Sequence, residues 1–272
     1  MKRCFKFLTF SLTFFSLCSV LHVESADQDQ QIQQLTKLVT AKTIPNHIAI
    51  IPDGNRRWAK DHKVPLIEGL RKASLETVPT ITEFLWKGGV DTVSIWCFST
   101  ENWQRDFAEV FDVMQVIVEG INQALLPLCL RMEAQILHLG RRDRLPSYVL
   151  QALDAAIEKT KAFSKHAVNL CIDYGGQDEI CRMLEKLQTR NMLGTPVATE
   201  HCAQFLDTAG QRHPNPDLIV RTSGERRLSG FFLWQSAYSE FSFFNKLFPD
   251  LTPTDMQKAL DDYASRQRRY GK

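Results

Sequence analysis

Three short stretches of this 272-residue chain crowd arginines together with acids, amides and hydroxyls. The first is Asp53-Gly54-Asn55-Arg56-Arg57-Trp58. Arg56 and Arg57 offer planar forks matched to phosphate oxygens, Asn55 adds neutral donors, and Gly54 lets backbone approach a ligand. Asp53 is an acid set among cations, a place where a carboxylate can hold Mg²⁺ together with a substrate's phosphates. An ordinary surface turn needs neither two arginines nor a tryptophan. The second stretch is Ser99-Thr100-Glu101-Asn102-Trp103-Gln104-Arg105, which also suits a polar loop capping the next helix. The third, Arg221-Thr222-Ser223-Gly224-Glu225-Arg226-Arg227-Leu228-Ser229, reads as an anion cradle flanked by apolar sequence.

Each stretch follows a short apolar run. Residues 47–51, 90–98, 134–139, 168–174 and 217–221 read as strands. Helical periodicity is expected over 68–87, 107–126, 146–163 and 177–189, with a short helix near 199–207 and a last one opening at Thr252-Pro253-Thr254-Asp255. The alternation predicts an α/β fold: a central, mostly parallel sheet of about six strands flanked by helices. Ligands in such sheets sit beyond the carboxyl ends of strands, where the three stretches fall. Three phosphate-type loops at one edge suggest two diphosphates side by side. The apolar helix at 107–126 and the aromatic run Phe231–Phe244, which contains Glu240, suggest a hydrocarbon chain on one of them, housed in an apolar tunnel. No G-x-x-x-x-G-K-[ST] or G-x-G-x-x-G sequence occurs, which argues against nucleotides.

Composition is that of a globular protein: 44% hydrophobic, 24% charged, net charge +2, so nothing calls for nucleic acid. The seven cysteines show no C-x-x-C spacing, against a zinc site or disulfide framework. Residues 1–26 stand apart: Lys2, Arg3 and Lys6 precede an uncharged stretch from Phe7 to Leu21, as in a signal peptide or a short membrane anchor. Residues 27–44 read as a linker and 45–272 as the catalytic domain.

Over about 45–272 the chain resembles the cis-prenyltransferases, the family of undecaprenyl and dehydrodolichyl diphosphate synthases. The resemblance rests on His47 through Ala59, on Phe98-Ser99-Thr100-Glu101-Asn102-Trp103, and on Asp217 through Glu240. The D-D-x-x-D runs of the trans counterparts are missing. The resemblance implies condensation of isopentenyl diphosphate with an allylic prenyl diphosphate, using Mg²⁺, to give a polyprenyl diphosphate. Asp53 would ligate the metal and assist departure of the allylic diphosphate, with Glu240 completing the metal site. Gly54, Asn55, Arg56, Arg57 and Trp58 would bind that diphosphate. Asn102, with Ser99, Thr100, Glu101 and Trp103, would position and deprotonate the condensing carbon, and Arg105 would support the phosphates. Arg221, Arg227, Leu228 and Ser229 would hold isopentenyl diphosphate. A homodimer is implied, with the tail Arg269-Tyr270-Gly271 reaching the neighbouring site. A lipid product implies a cytoplasmic, membrane-associated enzyme. Three positions depart from the family: Pro52 stands for a methionine, and Leu66 and Leu70 for an arginine and a histidine that contact the allylic diphosphate. These motivate two alternatives, a weakly active or non-catalytic prenyl-diphosphate-binding partner subunit and a terpene-forming relative.

Overall fold

A computed structural model describes residues 43–192 and 196–268. The leader, residues 27–42 of the linker and the tail Arg269-Tyr270-Gly271 lie outside the described residues. Six strands form one sheet: β1 (His47–Ile51), β2 (Thr92–Ser99), β3 (Ala134–Leu139), β4 (His166–Tyr174), β5 (Leu218–Arg221) and β6 (Glu240–Phe243). Their order is β3-β4-β2-β1-β5-β6, and every pairing is parallel. The five residues of β1 are all buried, as expected of a central strand covered on both faces.

The helices are α1 (Asn55–Asp61), α2 (residues 66–87), α3 (Phe107–Met132), α4 (Ser147–Thr160), α5 (Gly176–Thr189), α6 (Thr199–Ala203) and α7 (Pro253–Ser265). Helix α2 contains a π turn at Lys72–Thr77, and α3 one at Ile121–Leu125. In each case an α segment carrying proline in its first turn follows at once, at Pro79 and Pro127. A proline cannot donate to the ladder, and the widened turn before it absorbs the lost bond without ending the helix. This is why α3 runs on past residue 126 to Met132. With a mean hydropathy of 1.5, α3 is long and apolar enough to cross a membrane, yet most of that window is buried inside the protein.

Two further expectations change. The stretch after Asp53 is not a loop but helix α1, whose short, mostly polar sequence shows no periodicity. The aromatic run is not a channel wall. Phe231 and Phe232 stack at 4.3 Å and are buried with Ala49, Ile51, Cys171, Ile219 and Tyr174 on one face of the sheet. The run then yields the edge strand β6, too short to show an alternation of its own. Ser74 of α2 and Gly120 of α3 touch on the opposite face, where a Cβ at Gly120 would lie 2.0 Å from Ser74 Oγ.

Candidate active site

The chain leaves β1 toward β2 on one side and leaves β5 toward β6 on the other, so the sheet's topological switch lies between β1 and β5. A crevice opens at the carboxyl ends of such a strand pair. Register pairs Ile51 with Arg221 there, and the residues just beyond them meet. Arg221 Nη2 donates to Asp53 Oδ2 at 2.8 Å, and Thr222 Oγ1 donates to the Asp53 carbonyl at 2.6 Å. Arg221 Nη1 donates to Ser229 Oγ at 2.9 Å and also to the Arg227 carbonyl. Arg221 is buried and its Nε has no partner among the described residues.

Gly54 turns the chain from β1 into α1 with φ +110°, and a Cβ there would stand 2.9 Å from Leu247 Cδ2. A side chain is excluded on both counts. The turn aims two arginines across the crevice. Arg57 Nη2 donates to Ser223 Oγ at 2.5 Å and reaches Glu225 at 3.3 Å. Arg56 Nη2 donates to both oxygens of Glu109 at 2.8 Å.

The second stretch follows β2, whose register slips between Trp96 and Phe98. That bulge leaves Cys97 outside the ladder and re-aims the strand end, as bulges beside sites do. Ser99 then caps a 3-10 turn, Thr100–Gln104, in which Asn102 Oδ1 accepts from the Ser99 N–H at 3.1 Å. Arg105 donates to Glu109 Oε1 at 3.0 Å, so one carboxylate bridges two cationic side chains.

These elements enclose a cleft of about 550 Å³ lined by Asp53, Gly54, Asn55, Arg56, Arg57, Ser99, Glu101, Asn102, Arg105, Arg221 and Ser229, eleven of the residues expected from the sequence. Leu66 and Leu70 line it too. An apolar pocket of about 90 Å³ adjoins it between the sheet and helices α2 and α3. Pro52, Asn55, Leu70, Cys97 and Val113 line both spaces, so charged cleft and apolar pocket share a wall. Burial pushes the Cys97 thiol up to about 12, which keeps it neutral there.

Six expected residues stand outside the cleft lining. Trp58 faces inward, with Nε1 donating to Asp250 at 2.8 Å and its ring stacked on His62 at 4.0 Å. The Thr100 hydroxyl donates to Glu101 Oε1 at 2.9 Å. Trp103 Nε1 donates to Asp173 Oδ1 at 2.9 Å, away from the cleft. Arg227 is exposed beside Glu225 at 2.5 Å, and Leu228 packs on the aromatic cluster. Glu240 is not brought to Asp53 within this chain. It opens β6 in register with Leu218, at the amino end of the sheet, and pairs with Arg266 at 2.6 Å. Periodicity alone does not single out Glu109. Its place four residues after Arg105 in a helix's first turn was the available signal.

Asp53 is the group suited to a metal. One of its oxygens is held by Arg221, while Oδ1 accepts no hydrogen bond among the described residues. No group of three His, Cys, Asp or Glu that could hold a metal occurs among the described residues. This donor set fits an ion held by one carboxylate and substrate phosphates rather than a cage built wholly of protein.

Comparison with known proteins agrees with this geometry. Residues 51–271 match the family model "Putative undecaprenyl diphosphate synthase". The chain is 37% identical over 248 residues to an isoprenyl transferase of Bacillus anthracis, covering 90% of this chain and 95% of that protein. It is 39% identical over 230 residues to the isoprenyl transferase of Thermotoga maritima, covering 84% and 97%. The crystal structure of lavandulyl diphosphate synthase from Lavandula x intermedia, in complex with dimethylallyl diphosphate, superposes with a TM-score of 0.81 at 32% identity, covering 84% of this chain and 99% of that one. With sheet order, cleft and sequence in agreement, the chain belongs to the undecaprenyl diphosphate synthase family and is a prenyltransferase.

Proposed function

We propose that this enzyme condenses isopentenyl diphosphate with an allylic prenyl diphosphate, with Mg²⁺, to give a polyprenyl diphosphate. The observation that carries the reading is the shared wall: a cleft holding Asp53 and four arginines opens beside an apolar pocket. A molecule with two phosphates at one end and hydrocarbon at the other fits both spaces at once.

Asp53, together with substrate phosphates, would hold Mg²⁺, which would supply charge neutralisation for the departing group. Arg56 and Arg57 bind the allylic diphosphate in this reading, exchanging Glu109 and Ser223 for phosphate oxygens. Their preset orientation stabilises negative charge as the allylic C–O bond breaks. Arg221 and Ser229 hold the diphosphate of isopentenyl diphosphate, with Arg227 turning in from the rim. Its double bond attacks the allylic carbon in line, and one proton leaves the condensing carbon. An amide is not a base, and Asn102 Oδ1 is already engaged by Ser99, so Asn102 positions through its Nδ2. Glu101 on the same turn is the proton acceptor. The growing chain occupies the pocket between α2, α3 and the sheet.

A homodimer belongs to this reading, with Glu240 and the 269–271 tail serving the neighbouring site, as does a cytoplasmic, membrane-associated location for delivering a lipid product. The test is incubation of purified protein with Mg²⁺, labelled isopentenyl diphosphate and dimethylallyl, geranyl or farnesyl diphosphate. Extended product supports the reading, and its absence with every donor rejects it.

Leu66 and Leu70 in the cleft wall favour a weaker enzyme as the second reading. A lost hydrogen bond to a charged group costs about 1.5–3 kcal/mol. Leu70→His is expected to tighten the allylic donor by roughly tenfold, read as a lower KM. An unchanged KM removes this account of the two leucines.

A further inference from the structure

The turn Thr100–Gln104 carries Glu101 and Asn102 into the cleft, yet its tryptophan points away from it. Trp103 Nε1 ends on Asp173 Oδ1 at 2.9 Å, and the ring meets buried Phe98 edge-on at 5.0 Å. Asp173 lies at the carboxyl end of the neighbouring strand β4 and is fully buried. Arg144, from the segment after β3, clasps the same carboxylate, Nη2 to Oδ1 at 2.5 Å and Nε to Oδ2 at 2.9 Å. A buried carboxylate persists only when fully paired, and here both oxygens are committed.

The backbone is as constrained as the side chain. Asp173 has φ +54°, in the left-handed region. Its carbonyl accepts from the Arg141 N–H at 3.0 Å, and Gly140 approaches so closely that a Cβ there would lie 2.3 Å from the Ile172 carbonyl oxygen and 2.7 Å from that of Asp173. Two further contacts tie β2 and its turn to the same place. A Cβ at Gly175 would fall 2.3 Å from Thr100 Oγ1, and Trp96 Nε1 donates to the Tyr174 carbonyl at 3.1 Å.

We infer that Asp173 is a positioning residue for the reaction: with Arg144 behind it, it holds Trp103 and thereby sets the placement of Glu101 and Asn102 in the cleft. Asp173 touches no substrate. It fixes the far side of a turn whose near side is fixed by the Ser99–Asn102 cap, so the turn is pinned across its width. This inference rests on the proposed role of that turn in condensation.

Asp173→Asn is the sharpest variant. Asparagine tolerates the left-handed region and keeps one acceptor for the indole, but it presents a donor to Arg144 in place of an oxygen. Trp103→Phe keeps the ring on Phe98 and removes only the N–H. We expect either change to lower kcat roughly 10- to 100-fold, as a displacement of about 1 Å does. The dissociation constant for isopentenyl diphosphate alone, measured by calorimetry, rises, while the KM of the allylic donor, bound by the other loop, stays within about twofold. The double variant is no worse than the poorer single one, because both break the same link. Folded variants with wild-type kcat and affinity overturn the inference. So do effects that multiply in the double variant, or a fall in kcat that tracks lost melting temperature with unchanged affinity. If Asp173→Asn does not fold, Trp103→Phe carries the same test. If the wild type shows no condensation, the functional reading fails, and the calorimetric comparison still decides whether Asp173 orders the turn.

Discussion

The two faces of the sheet are built from different residues and used differently. On one face, Phe231 and Phe232 stack on each other, Phe231 stacks on Trp96 at 4.9 Å, and Tyr174 meets both rings edge-on. There the two phenylalanine rings are fully buried. On the other face, α2 and α3 meet the sheet through branched and small side chains, and a pocket remains among Ile95, Cys97, Val113, Ile117, Gly120 and Leu170. Aromatic rings close a face, while two helices held by the close contact of Ser74 and Gly120 bridge a hollow. The filled face anchors the fold, and the hollow one opens at the charged rim where Asp53 and Arg221 meet.

The largest expected effect tests that separation. Asp53→Asn removes the cleft carboxylate's charge while keeping an acceptor for buried Arg221, and is expected to lower kcat by roughly 10³-fold at a cost of about 1–2 kcal/mol in stability. Retained turnover would place the chemistry elsewhere. Phe231→Ala does the reverse. It carves the filled face and costs about 3–5 kcal/mol in urea unfolding. A loss below about 1 kcal/mol would show that the aromatic cluster is dispensable.

The amino end of the sheet gives a third contrast, for there His47, Ser94 and Asn169 form a polar cluster closed off from water. His47 is buried, with Nε2 at 2.7 Å from Ser94 Oγ, and Asn169 Nδ2 donates to the same hydroxyl at 2.9 Å. Burial lowers its pKa from 6.5 to about 4. The unfolded chain therefore takes up a proton near pH 6.5 while the folded one resists until about pH 4. Stability is fully present above pH 6.5 and falls as pH drops through that window, by about 3 kcal/mol from this group. Unfolding curves of wild type and His47→Gln across that range check it. The variant is expected to lose about one proton's worth of slope, and equal slopes would refute the assignment.

The smallest effect concerns the hollow face. Ile117→Phe places a ring in the apolar pocket and is expected to shorten the product while costing about 1–3 kcal/mol through overpacking. Chromatography of products by chain length reads the first, and unfolding reads the second. An unchanged product distribution would separate the pocket from the growing chain.

Much of the molecule was legible before folding. Strands β1 to β5 are dense in branched residues and stopped by turn residues, so local sequence reveals them. The cleft loops were legible because arginine beside glycine and acid has few other uses. Helix α1 and strand β6 were not. Asn55–Asp61 carries no periodicity, and Glu240–Phe243 becomes a strand only because β5 offers it an edge. Trp58 and Trp103 read as ligand contacts because they sit in the motifs. Both turn inward because a buried indole keeps its N–H paired, with Asp250 at the surface for one and buried Asp173 for the other.

Residue order by itself determined the α/β alternation, the three ligand-type stretches and their place after strands, because those depend on neighbours a few positions apart. Only the tertiary structure decided which stretches share a cleft, that Glu240 stands apart from Asp53 in its own chain, and which sheet face stays hollow. Those outcomes depend on strand order and on side chains far apart along the chain, such as Asp53 with Arg221 and Ser74 with Gly120, whose contact is made by packing and not by local preference.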